Sequence, residues 1–271
     1  MNAMFVVFVV LFTLCNSQRI HLDLLRHQSC PWNRETSSWN RKLLFEGGQR
    51  GQGAQLIEDP EMPSCYSIKG RAAVFEPIID DLTIYITIST TADKNVPPEP
   101  CLDADPNSGC GGVGSCAYCR PCESLNLRDN PIGAELLVDG HSIGCEVLKP
   151  ARYDNVMLRF CLPDLPTLLR WQHISERTFQ AILSTRTKNQ NEPAKISIFA
   201  TVYFFDRNIR PLLSSQRKLE QRLKEVRGVR AEENLDSQTY WNLPFNQLIL
   251  QQRTFIGCHK LYGTVTFSEN K

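Results

Sequence analysis

The chain has 271 residues, 42% of them hydrophobic, with 30 Lys and Arg against 29 Asp and Glu and a formal net charge of +1. That apolar content excludes a disordered chain, and the near-zero charge argues against nucleic acid as a main partner. No Asn-x-Ser/Thr sequon occurs, so N-glycosylation is not expected.

The chain opens MNAMFVVFVVLFTLCNSQR, apolar from Met4 to Leu14 except for Thr13. This run is too short to span a bilayer and fits the core of a signal peptide over 1–17, although no Lys or Arg precedes it. Cleavage before Gln18 predicts a protein secreted to the extracellular space or held in the endolysosomal lumen. Cys15 leaves with the leader. Ten cysteines remain: Cys30, Cys65, Cys101, Cys110, Cys116, Cys119, Cys122, Cys145, Cys161 and Cys258. Four of them fall in CGGVGSCAYCRPC (110–122), a spacing that suits either a metal or disulfides. An even count in an oxidising lumen reads as a disulfide framework, and His141 is the nearest imidazole and sits alone. No metal and no cofactor are expected.

Residues 18–60 hold Trp32, Trp39 and Cys30 and read as an N-terminal extension, with EGGQRGQGAQ (46–55) as a flexible linker. The main domain is then expected over 61–271. In DLTIYITIST (81–90) Leu82, Ile84, Ile86 and Ile88 alternate with Thr83, Tyr85 and Thr87, the period of a half-buried strand. GAELLVDGHSIGCEVL (133–148) predicts a hairpin turning at Asp139-Gly140, and YDNVMLRFCLP (153–163) a further strand. LPDLPTLLRWQHISERTFQAIL (162–183) carries Leu165, Leu168, Leu169, Trp171, Ile174, Phe179 and Ile182. It is either a short helix packed on the strands or an apolar loop at the mouth of a cavity. KISIFATVYFFD (195–206) alternates with both faces apolar or aromatic. Leu219, Leu223 and Val226 place one apolar stripe on a charged helix over 214–237, read as a solvated helix inserted in a long loop. CHKLYGTVTFSE (258–269) alternates again. Many strands, few helices and many cysteines predict an all-β, immunoglobulin-like sandwich or cup stapled by disulfides, with that charged helix inserted.

The order of these features resembles the ML (MD-related) lipid-recognition domain, particularly its ganglioside-activator branch, over roughly 62–271. The resemblance lies in FEPIIDDLTIYITI, in a close cysteine cluster at mid-chain, in LPDLP before a Trp-containing apolar segment, and in a final hairpin formed by KISIFATVYFFD and RTFIGCHKLYGTVTF. The resemblance implies a bridge from Cys65, before the first family strand, to Cys258 in the last. One arrangement of the rest is Cys101–Cys116, Cys119–Cys145, Cys122–Cys161 and Cys30–Cys110, and other pairings stay open. It also implies a dry cup for acyl chains, a sterol or a glycolipid. The strand faces Ile84, Ile86, Ile88, Ile198, Val202, Phe204 and Val265 would line it, and Leu165, Leu168, Leu169 and Trp171 would form its mouth. Each of these residues has ordinary core as its alternative. Expected partners are lipid or glycolipid, with a membrane surface or a luminal hydrolase.

No catalytic residues are assigned. The five histidines are scattered, with none beside a Ser or Cys in a nucleophile motif. The expected function is lipid binding or transfer rather than catalysis. The alternative is a disulfide-rich extracellular interaction module without a cavity.

Overall fold

The computed structural model describes residues 19–78, 82–121 apart from six positions (94, 95, 97, 100, 103 and 106), 134–142, 149–171, 175–181 apart from 180, 195–207 and 255–268. The leader 1–17, Cys122, Cys145 and the charged stretch 214–237 lie outside the described residues.

The elements in chain order are β1 (Arg19–Ser29), β2 (Leu43–Phe45), β3 (Gly48–Gln49), β4 (Gln52–Gly53), β5 (Leu56–Glu58), β6 (Cys65–Val74), β7 (Thr83–Ser89), β8 (Cys101–Leu102), β9 (Val113–Gly114), β10 (Ala117–Cys119), β11 (Ala134–Val138), β12 (His141–Ser142), β13 (Ala151–Cys161), α1 (Leu165–Trp171), β14 (Lys195–Phe205) and β15 (Gly257–Ser268). The fold is all-β and stapled by disulfides. Sheet A runs β10-β7-β14-β15-β1-β3-β4, and sheet B runs β12-β11-β13-β6-β2 with β5 also paired to β6. The sheets meet face to face. The Tyr66 hydroxyl of sheet B accepts from the Leu22 amide and donates to the Ile20 carbonyl of sheet A.

Residues 18–60 are not an appendage. β1 pairs with β15 from Arg19↔Ser268 to Ser29↔His259 and carries β3 on its other side. Ile20, Leu22 and Leu24 already alternate with His21 and Asp23, so a strand was legible there. A bulge between Leu24 and Arg26 then resets the parity and brings His27 and Ser29 to the face of Ile20 and Leu22. Nor is 46–55 a free linker. It forms the β3–β4 hairpin, in which a side chain at Gly48 would collide with the Ala54 carbonyl.

The predicted strands at 81–90, 153–163, 195–206 and 258–269 all form. Two-sided apolarity in β14 has a direct cause. One face holds Val202 and Phe204 against Leu43, Val74, Ile78 and Ile256. The other buries Phe205, 0% exposed, with Trp39, Tyr85 and Phe255 under the 30–42 segment. The hairpin at 139–140 also forms, with Asp139 (φ 51°) and Gly140 (φ 80°) between the Val138↔His141 pair. Those positive angles are what a two-residue turn between right-twisted strands requires.

The apolar segment from 162 resolves as helix. Asp164 caps α1, its carboxylate accepting from the Thr167 amide at 2.9 Å. Hydrogen bonds from Thr167 hold the carboxyl below the usual Asp range. Leu165 and Leu169 are buried against Ile20 and Val265, with Leu168, Ile198 and Phe267 packed around them. Replacing Asp164 by Ala is expected to cost about 1 kcal/mol, the usual value of an N-cap. Urea unfolding of the variant checks this, and an unchanged midpoint would remove the cap from the account.

Four disulfides join described residues: Cys30–Cys258, Cys65–Cys161, Cys101–Cys116 and Cys110–Cys119. Only Cys101–Cys116 matches the expected set. Cys65 does not reach Cys258, because it lies opposite Cys161 in the β6–β13 register. Cys161 is therefore not bonded to Cys122. Cys30 follows β1 directly, and its amide bonds the Cys258 carbonyl at 2.9 Å, so it pairs there and not with Cys110. Cys119 takes Cys110 instead of Cys145. The bridge that the resemblance implies, Cys65–Cys258, is therefore not the one formed. Four such bridges suit an oxidising extracellular or lumenal compartment.

Candidate functional site

The residues proposed to line a cup share one face of sheet A. Cross-strand pairs Ile84↔Phe204, Ile86↔Val202 and Ile88↔Ala200 set β7 against β14, and Ile198↔Gly263 and Ile196↔Val265 set β14 against β15. Alternation along each strand then puts Ile84, Ile86, Ile88, Ile198, Val202, Phe204 and Val265 toward sheet B.

Burial divides them. Phe204 and Val265 are core, and Ile84 packs with the Leu43, Val74 and Ile78 cluster. At the other end Leu165 and Leu169 are core rather than an open mouth, with Leu168 packed beside them. Trp171 ends α1, and its side chain lies outside the described residues. Ile86, Ile88, Ile198 and Val202 are, like Ile84, only half-buried although they face inward. Sheet B behaves alike. Val156 is buried, pairing with Gly70 and Val138. Leu158, two residues on and on the same face, is 39% exposed, and its partner Leu136 is half-buried. Apolar side chains on both inner faces thus keep partial contact with solvent.

A polar relay crosses the same inner face of sheet A. His27 and His259 are both buried, and His27 Nδ1 lies 2.7 Å from His259 Nε2. His27 Nε2 lies 2.7 Å from the Ala54 carbonyl. A carbonyl only accepts, so the His27 proton sits on Nε2, and Nδ1 accepts from the His259 Nε2–H. His259 Nδ1 is then a bare acceptor facing Ser29 Oγ at 3.4 Å. The Ser29 hydroxyl donates to the Phe45 carbonyl at 2.8 Å, so its proton is directed away from the imidazole. Desolvation first, and the facing His27 second, push the His259 pKa down to about 4. The arrangement ties β1 and β15 to the segments carrying Phe45 and Ala54. Five scattered histidines gave no sign of it, because the contact joins positions 232 residues apart. Beside His27 a cleft of about 170 Å³ runs past Asp23, Gln49 and Arg50, and the Arg50 guanidinium pairs with the Asp23 carboxylate. Among the described residues no group of three or more His, Cys, Asp or Glu is placed to hold a metal ion.

No known family model matches the chain, and no curated protein matches it. The inner faces therefore have to be read on their own chemistry.

Proposed function

We propose that this is an extracytoplasmic lipid-binding protein that holds an acyl chain or another slender apolar ligand between its two sheets. The observation that carries the reading is the partial exposure of inward-facing apolar residues on both sheets, Ile86, Ile88 and Ile198 on one and Leu136 and Leu158 on the other. A closed sandwich buries such positions. Left wet, each forgoes transfer free energy that a ligand could recover, at about 0.8 kcal/mol per methylene covered. The packed ends, with Leu165 and Leu169 at one and Leu43 and Val74 at the other, would give the ligand a bounded slot. Such a carrier would exchange its cargo at a membrane surface or present it to a luminal hydrolase. The leader-like N-terminus and the four disulfides support secretion. Burial of His259, which disfavours its imidazolium, fits a neutral extracellular setting better than an acidic lumen.

Leu158→Glu tests the assignment. A carboxylate there faces water in the empty protein and is desolvated by a bound acyl chain. Binding of a fluorescent fatty acid should weaken by about tenfold or more, with the thermal midpoint within a few degrees of the parent. Uptake at parental affinity by the folded variant would show that the ligand does not lie along Leu158.

A further inference from the structure

A second, separate feature lies outside the sandwich, in the 30–42 segment and Phe75. An open groove of about 610 Å³ is lined there by Trp32, Arg34, Ser37, Asn40, Arg41 and Phe75, among others, with no carboxylate among its lining residues. The Arg41 guanidinium lies 4.2 Å from the centre of the Trp32 ring and 5.0 Å from that of Phe75. Both rings hold the cation in place beside the groove.

Arg41 differs from its basic neighbours. Lys42, the next residue, is held by Glu76 at 3.0 Å and Asp206 at 2.9 Å. Arg71 pairs with Glu46, and Arg159 with Glu135. Arg41 pairs with no carboxylate among the described residues, and its buried Nε has no hydrogen-bond partner there. A rigid guanidinium without its counter-ion is a site for an anion supplied from outside.

The walls are built in advance. Trp32 Nε1 donates to the Trp39 carbonyl at 2.9 Å, and Trp39 is buried against Phe255 at 4.6 Å between ring centres. The Asn33 and Ser37 backbones close a turn, with Glu35 N donating to Asn33 Oδ1. Cys30–Cys258 anchors one end of the segment and the Lys42 ion pairs anchor the other. Phe75 presents a ring 44% exposed at the rim. Ser37 adds a hydroxyl beside it, and Asn40, whose Nδ2 donates to Glu76 at 3.2 Å, adds its amide oxygen.

We propose that this groove binds an anionic saccharide, a uronate or sulfated sugar, with Arg41 taking the acidic group, Phe75 stacking on the sugar ring, and Ser37 and Asn40 meeting its hydroxyls. An apolar ring face beside fixed polar donors is the pairing a sugar offers, with C–H groups on one side and hydroxyls at the edge. The second guanidinium, Arg34, raises the local positive potential for the acidic substituent. The groove is of the size that holds small ligands. None of this depends on the lipid reading, since the groove and the inner faces share no lining residue.

Isothermal titration of the purified protein with a chondroitin sulfate hexasaccharide at physiological salt tests the site, with neutral cellohexaose as the comparison. The sulfated sugar should bind and cellohexaose should bind at least about tenfold more weakly. Arg41→Lys keeps the charge but loses the planar fork, and should weaken binding about tenfold. Phe75→Ala, at an exposed ring, should weaken it several-fold while leaving the thermal midpoint near that of the parent. Lys69→Ala, an exposed cation on β6, should change nothing. Absence of binding, equal affinity for cellohexaose, parental affinity in Arg41→Lys, or an equal loss in Lys69→Ala would each overturn the proposal.

Discussion

Replacing Cys30 and Cys258 together by alanine should lower the unfolding free energy by about 5 kcal/mol, the largest effect expected of any one bridge. The bond closes a loop of 228 residues, and the chain-entropy model assigns roughly 5 kcal/mol to a loop of that length. It also seats the 30–42 segment over Phe205, Tyr85 and Phe255, so its loss loosens a core cluster as well. Cys110–Cys119 spans nine residues and is worth only about 2–3 kcal/mol in the same model. Urea unfolding of the two double-alanine variants should therefore separate them clearly. Equal losses would mean that the long bridge does not restrain the unfolded chain as described.

Acidification gives the second large effect. The His259 pKa falls from its ordinary 6.5 to about 4 in the folded protein because burial, then His27, disfavour the imidazolium. The unfolded chain accordingly binds more protons between those values, and stability declines as pH falls. The contribution is complete above pH 6.5 and declines by up to about 1.4 kcal/mol per unit below it, so that the loss reaches about 3 kcal/mol near pH 4. Glu46, Glu76, Glu135 and Asp164 are held below their ordinary range by their partners, so their contributions are lost only at lower pH. The interval from 6.5 to 4.5 isolates the histidine. Unfolding free energies across it should slope in the parent and lie nearly flat in His259→Phe. A flat parental profile would contradict a buried, neutral His259.

Much of the sheet architecture was legible because strand alternation is local. β7, β13, β14, β15 and the turn at Asp139-Gly140 follow from side-chain period and turn chemistry alone. β1 was legible too, in Ile20, Leu22 and Leu24, but the bulge at Leu24/Arg26 breaks the period halfway and hides the strand's full length. Disulfide partners were not legible. Cys65 and Cys161 meet because β6 and β13 pair in one register, and register is a property of the assembled sheet. The fate of Leu165 and Leu169 was open for a related reason, since an apolar helix face looks the same whether it covers a core or rims a cavity. Ile86 and Ile88 show the converse. Sequence placed them on one face with Ile84, but only the assembled sheets decide that Ile84 packs against the Leu43 and Val74 cluster while all three stay half-buried. The His27–His259 contact and the Arg41 stack likewise join residues that no local pattern relates.

Lipid uptake is proposed to occur between the two sheets. Organic extraction of the purified, folded protein followed by mass spectrometry, before and after incubation with mixed phospholipid vesicles, tests it most directly. Lipid should be recovered at close to one molecule per chain and be lost in Leu158→Glu. A protein that emerges empty from both preparations, with no uptake from the vesicles, would contradict it.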